Sequence, residues 1–103
     1  MNPSFNNELS PAETERLALL SEECAEVIQA VSKILRHGYA SQHPNDRPNG
    51  PTNRQNLARE IGQVLFTVDL MTVNGDVLAY EVVHHRDAKA LAIKPYLHHQ
   101  GDQ

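Results

Sequence analysis

The 103-residue sequence concentrates its most suggestive chemistry in Leu20-Ser21-Glu22-Glu23-Cys24-Ala25-Glu26-Val27-Ile28, where three carboxylates stand beside apolar positions. Residues three apart on a helix lie about 60° from each other around the axis, so Glu23 and Glu26 project together. Like charges so placed destabilise a helix unless something positive lies between them. A hard divalent cation meets that need, because Mg²⁺ takes oxygen ligands and keeps waters that substrate phosphates can replace. A second run, Glu60-Ile61-Gly62-Gln63, repeats the three-residue spacing between Glu60 and Gln63 and again borders apolar positions. If the two helices pack antiparallel, both pairs face one cleft. An acidic stretch alone is more often a solvated helix face. The second run weighs against that reading, and Glu22, which the spacing does not require, is left to pair with a base or to face water.

A phosphate-bearing ligand also needs cations. Lys33 and Arg36 on the first helix and Arg86 and Lys89 on the third are the candidates, with Lys33 two turns beyond Glu26. An ordinary solvated role is the competing reading for each of them. His84-His85 and His98-His99 make poor metal sites, since adjacent residues on a helix point in different directions. Cys24 is the sole cysteine, so it forms no intrachain disulfide, and its place on an apolar stripe suggests burial. Tyr39 either stacks on a base or packs its loop onto the helices. No Ser-His-Asp order, Walker loop or dinucleotide glycine fingerprint is present, so phosphate recognition falls to metal and basic side chains.

The elements that must position these groups are helices. Ser10 caps, Pro11 suits a first helical position and Glu13 closes a capping box. Leu17, Leu20, Cys24, Val27, Ile28, Val31, Ile34 and Leu35 then recur at spacings of three and four, and Gly38 ends the helix. His37–Pro51, rich in Pro, Gly, Asn, Asp and Ser, reads as a loop long enough to be functional. Thr52 and Gln55 open a second helix carrying Leu57, Ile61, Val64, Leu65, Val68 and Met71, and Asn74-Gly75 stops it. Gly62 inside this helix costs about 1 kcal/mol relative to Ala, which implies a close helix approach. Asp76 is expected to cap a third helix through Val77, Leu78, Val82, Ala88 and Leu91, terminated by Pro95. Residues 1–9 read as a loose lead-in and 96–103 as a polar tail, within one domain spanning 1–103. The fold class expected is all-α, a bundle of three main helices. Both main apolar stripes are too wide for one small chain to cover, so a homodimer, or a dimer of dimers, is expected to complete it.

Composition limits the partners. Acids outnumber bases 13 to 9, which argues against a general nucleic-acid binder. No stretch reaches the roughly 18 apolar residues of a membrane span, and no basic start precedes an apolar run, so a cytoplasmic location with no membrane partner is expected.

The runs LSEECAEVIQAVSKILRHG and LAREIGQVLFTVDLM resemble the MazG-like nucleotide pyrophosphohydrolases, relatives of the all-α dimeric dUTPases and of phosphoribosyl-ATP pyrophosphohydrolases. The likeness in detail covers Ser10 to Val73. The family pattern is Glu-x-x-Glu on one helix and Glu-x-x-Asp on the next, all four side chains binding Mg²⁺. Glu23 and Glu26 match the first pair and Glu60 the third ligand, whereas Gln63 stands where the family has Asp. An amide oxygen can coordinate but brings no charge. Asp69, nine residues beyond Glu60, falls roughly on the opposite side of the helix and does not replace it. The resemblance implies a hydrolase that uses Mg²⁺, or Mn²⁺ in its place, to activate a water against the phosphate chain of a nucleoside triphosphate. The products would be nucleoside monophosphate and pyrophosphate, with removal of noncanonical nucleotides as a role. The alternative is a noncatalytic module, binding nucleotide or protein, that lost hydrolysis through Gln63.

Overall fold

A computed structural model describes residues 6–101; residues 1–5 of the expected lead-in and 102–103 of the expected tail lie outside the described residues. The architecture is all-helical, with α1 at Pro11–His37, α2 at Asn53–Val73 and α3 at Ala79–Ala92. Single 3₁₀ turns occupy Pro44–Asp46 and Lys94–Tyr96. Among the described residues there is no strand, only an isolated bridge between Gln42 and Thr52.

Two capping boxes set the helix starts. Ser10 Oγ accepts the Glu13 N–H at 3.1 Å while Glu13 Oε1 accepts the Ser10 N–H at 2.8 Å. Thr52 and Gln55 exchange the same pair of bonds at 3.2 and 2.9 Å. Each box satisfies two of the amides that a helix start leaves without a partner. Gly38 ends α1 at φ 87°, a backbone that L side chains rarely adopt, and its N–H donates to the Ile34 carbonyl at 2.7 Å.

α1 and α2 pack antiparallel, pinned at both ends. At one end the Asn53 side chain donates to the Gly38 carbonyl at 3.0 Å, and the Asn53 and Arg54 amides donate to Ser41 and Tyr39 carbonyls at 2.8 and 3.0 Å. At the other, Arg16 grips Asp76 through two bonds, Nε to Oδ2 at 2.5 Å and Nη2 to Oδ1 at 2.9 Å. The long loop is therefore closed on itself, and Gln42 reinforces it by donating to the Pro48 and Gly50 carbonyls. Tyr39 packs under the Arg54 guanidinium, 4.6 Å from ring centre to Cζ, a contact that ties the loop to α2.

Three expectations are corrected. Asp76 does not cap α3: its carboxylate is taken by Arg16, and α3 starts at Ala79 behind Leu78, which offers no side-chain cap. Cys24 is exposed, because α1 turns Leu20, Glu23, Val27 and Ala30 toward α2 and Cys24 away from it. Gly62 is not needed for close approach of α1, since a Cβ there would meet nothing within 4 Å.

The expected apolar stripes divide. Leu20, Val27 and Ile34 are half-buried against α2, whereas Leu17, Ile28, Val31 and Leu35 lie open, Leu35 at 81% exposure. On α2, Met71 is buried and Phe66 and Val73 are exposed at 62% and 84%. α3 does not pack along α1 or α2; it contacts mainly the 3₁₀ turn that follows it. The accessible surface is 8483 Å², against roughly 5800 Å² for a compact chain of 11.5 kDa. The radius of gyration, 18.2 Å, likewise exceeds the roughly 13 Å of a globule this long.

Candidate functional site

α1 and α2 bring their acidic pairs to one place. One oxygen from each of Glu23, Glu26 and Glu60 lies within 4.8 Å of the others, and no other trio of His, Cys, Asp or Glu among the described residues converges in this way. Glu23 and Glu26 are half-buried, and Glu60 is buried at 8% exposure. The helical spacing explains the first pair, and the antiparallel register set by Asn53 and Arg16 brings Glu60 opposite them.

Glu26 has its pKa raised from about 4.5 to about 7, first by its hydrogen bond with Glu60, then by desolvation and by the charges of Glu23, Glu60 and Glu22. Glu60 moves the other way, held ionised by Arg59 and by the proton on Glu26. Arg59 Nη2 sits 3.1 Å from Glu60 Oε1. The shared proton thus belongs to Glu26, and Glu60 is the anion of the pair.

Gln63 completes the group in a way its sequence position does not announce. With its amide turned to satisfy its surroundings, Nε2 donates to Glu60 Oε2 at 2.9 Å and to Glu23 Oε2 at 3.0 Å. The two N–H groups bridge carboxylates from both helices, supplying partial positive charge among three acids. One turn further along, Thr67 is 1% exposed and its hydroxyl donates to the Gln63 carbonyl at 2.9 Å, which fixes the backbone under the amide.

The donor set fits a hard divalent cation: three carboxylates with converging oxygens, an excess of negative charge that one proton and one amide relieve only in part, and an amide oxygen available on rotation of Gln63. From this cluster a cleft of about 290 Å³ runs between the helices, lined by Glu26, Gln29, Lys33, Asn56, Arg59 and Glu60 among others. It is negative at the cluster and positive along the wall formed by Lys33 and Arg59.

Of the four expected phosphate ligands, Lys33 lines this cleft and Arg36 lies beyond it in an adjoining pocket. Arg86 and Lys89 ride on α3, away from the cleft of their own chain, and Arg86 pairs with Asp87 at 3.0 Å. Arg59, Asn53 and Asn56 went unrecognised in the sequence. Arg59 carried a signal, being adjacent to Glu60; the asparagines carried none beyond their place in the first turn of α2. No family model, no curated protein and no solved structure matches the chain.

Proposed function

We propose that the chain is a MazG-like nucleoside triphosphate pyrophosphohydrolase that works with Mg²⁺ or Mn²⁺ and releases nucleoside monophosphate and pyrophosphate. The observation that carries the reading is the convergence of Glu23, Glu26 and Glu60, from two helices, at the acidic end of a cleft whose wall bears Lys33 and Arg59. Clearance of noncanonical nucleotides is the role this chemistry would serve.

Glu23, Glu26 and Glu60 would hold the cation, with Gln63 as a neutral fourth partner. When bound, the cation supplies charge that neutralises the phosphate chain and acidifies water. The chain's own contributions are distinct. Lys33 and Arg59 bind phosphate oxygens and orient the anhydride. Arg59 also keeps Glu60 ionised. Glu26 must give up its proton before it can bind a cation.

The excess surface and the bare apolar faces of α1, α2 and α3 support assembly as a homodimer or a dimer of dimers. In such an assembly α3 would cover a partner's helices, which could return Arg86 and Lys89 to a cleft. The excess, roughly 2700 Å² per chain or about 5400 Å² for a pair, is at the upper end of what obligate interfaces bury.

The second reading, a noncatalytic nucleotide-binding or protein-interaction module, is favoured by one observation. The Gln63 amide already compensates Glu23 and Glu60 without a cation. Pyrophosphate release from a panel of canonical and modified nucleoside triphosphates, with Mg²⁺ and with Mn²⁺, separates the two. Release that needs both cation and Glu60, and disappears in Glu60→Ala, is the expected result. Metal-independent release, or full activity in Glu60→Ala, would overturn the hydrolase reading, and silence across the panel would favour the noncatalytic one.

A further inference from the structure

Beyond the acidic cleft, a second pocket of about 310 Å³ opens between the end of α1, the long loop and the start of α2. Its walls carry Lys33, Arg36, His37, His43 and Arg47, and no Asp or Glu lines it. Lys33, Asn53 and Asn56 line both spaces, so the pocket adjoins the cleft.

Charge in this chain is segregated. Residues 33–59 hold Lys33, Arg36, Arg47, Arg54 and Arg59 against the single acid Asp46, a net of +4 within a chain whose total is −4. Four of the six arginines have a partner: Arg16 has Asp76, Arg59 has Glu60, Arg86 has Asp87 and Arg54 has the Tyr39 ring. Lys33, Arg36 and Arg47 pair with no acid among the described residues, yet they line one pocket. Unpaired cations gathered in a concavity repel one another, and an anion relieves that repulsion.

Two local features sharpen the site. His43 Nδ1 accepts the Asn45 N–H at 3.1 Å, which leaves Nε2 as the protonated nitrogen and a donor. Asn53 and Asn56 sit in the first turn of α2, where the helix dipole is positive. The pocket thus offers guanidinium forks, an ammonium, an imidazole N–H and amides to a ligand rich in oxygen acceptors and negative charge.

We infer that this pocket is an oligophosphate site, taking a di- or triphosphate chain along Lys33, Arg36 and Arg47. If the hydrolase reading holds, a nucleotide's phosphate tail runs from the acidic cluster toward the loop, and the pyrophosphate leaving group lies in the pocket. That direction rests on the proposed function; the anion site itself does not.

The test separates the two. Calorimetry of the intact protein with tripolyphosphate in EDTA should show binding without any divalent cation. The double variant Arg36→Ala/Arg47→Ala, at exposed positions, should weaken it at least tenfold, while Lys94→Ala, at an exposed cation outside the pocket, leaves it within twofold. Absence of binding, or equal binding by the double variant with an unchanged helical spectrum, overturns the site. Displacement of tripolyphosphate by a nucleoside triphosphate names the nucleotide tail as the source of the chain, and failure to displace it names a free oligophosphate. Failure of turnover with this binding intact would count against the hydrolase reading alone.

Discussion

Glu26 on α1 and Glu60 on α2 face each other across the helix pair closely enough to share a proton, and Arg59 decides that Glu60 is the partner that stays charged. The folded protein therefore holds a proton on Glu26 that the unfolded chain releases near pH 4.5, and gives it up only near pH 7.

The metal-free protein should consequently lose stability as pH rises through that window. Glu26 has a raised pKa, so between about 4.5 and 7 the folded state binds more protons than the unfolded one, and linkage lowers the unfolding free energy with increasing pH. Thermal melts in EDTA from pH 5 to pH 8 should show a declining midpoint. Glu26→Gln should flatten that decline, because its amide replaces the proton permanently. Divalent cation should reverse it for the wild type, by favouring the ionised carboxylates. An identical slope in wild type and Glu26→Gln would show that Glu26 does not govern it.

Gln63→Asp exchanges two donated hydrogen bonds for a fourth carboxylate. In EDTA the variant should melt below the wild type, since Glu23 and Glu60 lose the amide between them and gain a like charge. With Mg²⁺ the order should invert, and cation affinity should rise on the order of tenfold as ligand charge increases. Calorimetry and melts with and without cation read both halves. Turnover appearing only in the variant would assign the natural protein to the noncatalytic reading.

Much of this arrangement was legible in the residues. Capping boxes at Ser10 and Thr52 and the three-residue acidic spacing are local signals, and they located α1, α2 and the acidic cluster. Asp76 was misread because a cap and an ion pair demand the same residue type, and Arg16 lies sixty positions away. The stripe through Leu17, Cys24, Ile28 and Leu35 is periodic whether its cover is α2 or something else, so periodicity could not separate inward from outward residues. The basic pocket depends on the loop folding back through Asn53 and Gln42, side chain to backbone bonds with no sequence signature.

The Arg16–Asp76 pair should matter most above the acid range. Its side chains are 14% and 10% exposed, and Asp76 has its pKa lowered, first by the hydrogen bonds from Arg16. A depressed carboxyl contributes stability that is present above its unfolded pKa, 3.8, and lost as pH falls through the folded value. Asp76→Asn should lower the melting midpoint at pH 6, and the gap to wild type should narrow as pH falls below 3.8. A gap that stays constant through that fall would mean that the aspartate acts through shape, with charge playing no part. The same variant should loosen the α2–α3 turn, visible as faster amide exchange around Gly75.

The apolar faces give the remaining prediction. Leu35, Phe66 and Val73 are more than half exposed in the single chain, so if nothing covers them, replacement of Leu35 or Phe66 by Ala should change stability by no more than about 0.5 kcal/mol. If a second copy covers them, as the proposed assembly requires, each truncation should cost about 1.5–3 kcal/mol per chain, the transfer free energy of a large apolar side chain. The second outcome is expected, because Ala30 and Met71 are the only buried apolar residues among those described, and two such side chains do not offset the ordering of three helices. Sedimentation should therefore find a dimer or tetramer whose melting midpoint rises with protein concentration, and Phe66→Glu should yield a monomer with reduced helicity. Gly62 provides a finer probe on the same helix. In the single chain a Cβ there meets nothing within 4 Å, so Gly62→Ala should stabilise the isolated chain by up to about 1 kcal/mol through helix propensity. In the assembled wild-type background, loss instead of gain would place a partner helix directly against Gly62, and gain would place the interface on the Leu35 side of α1 and the Val73 end of α2.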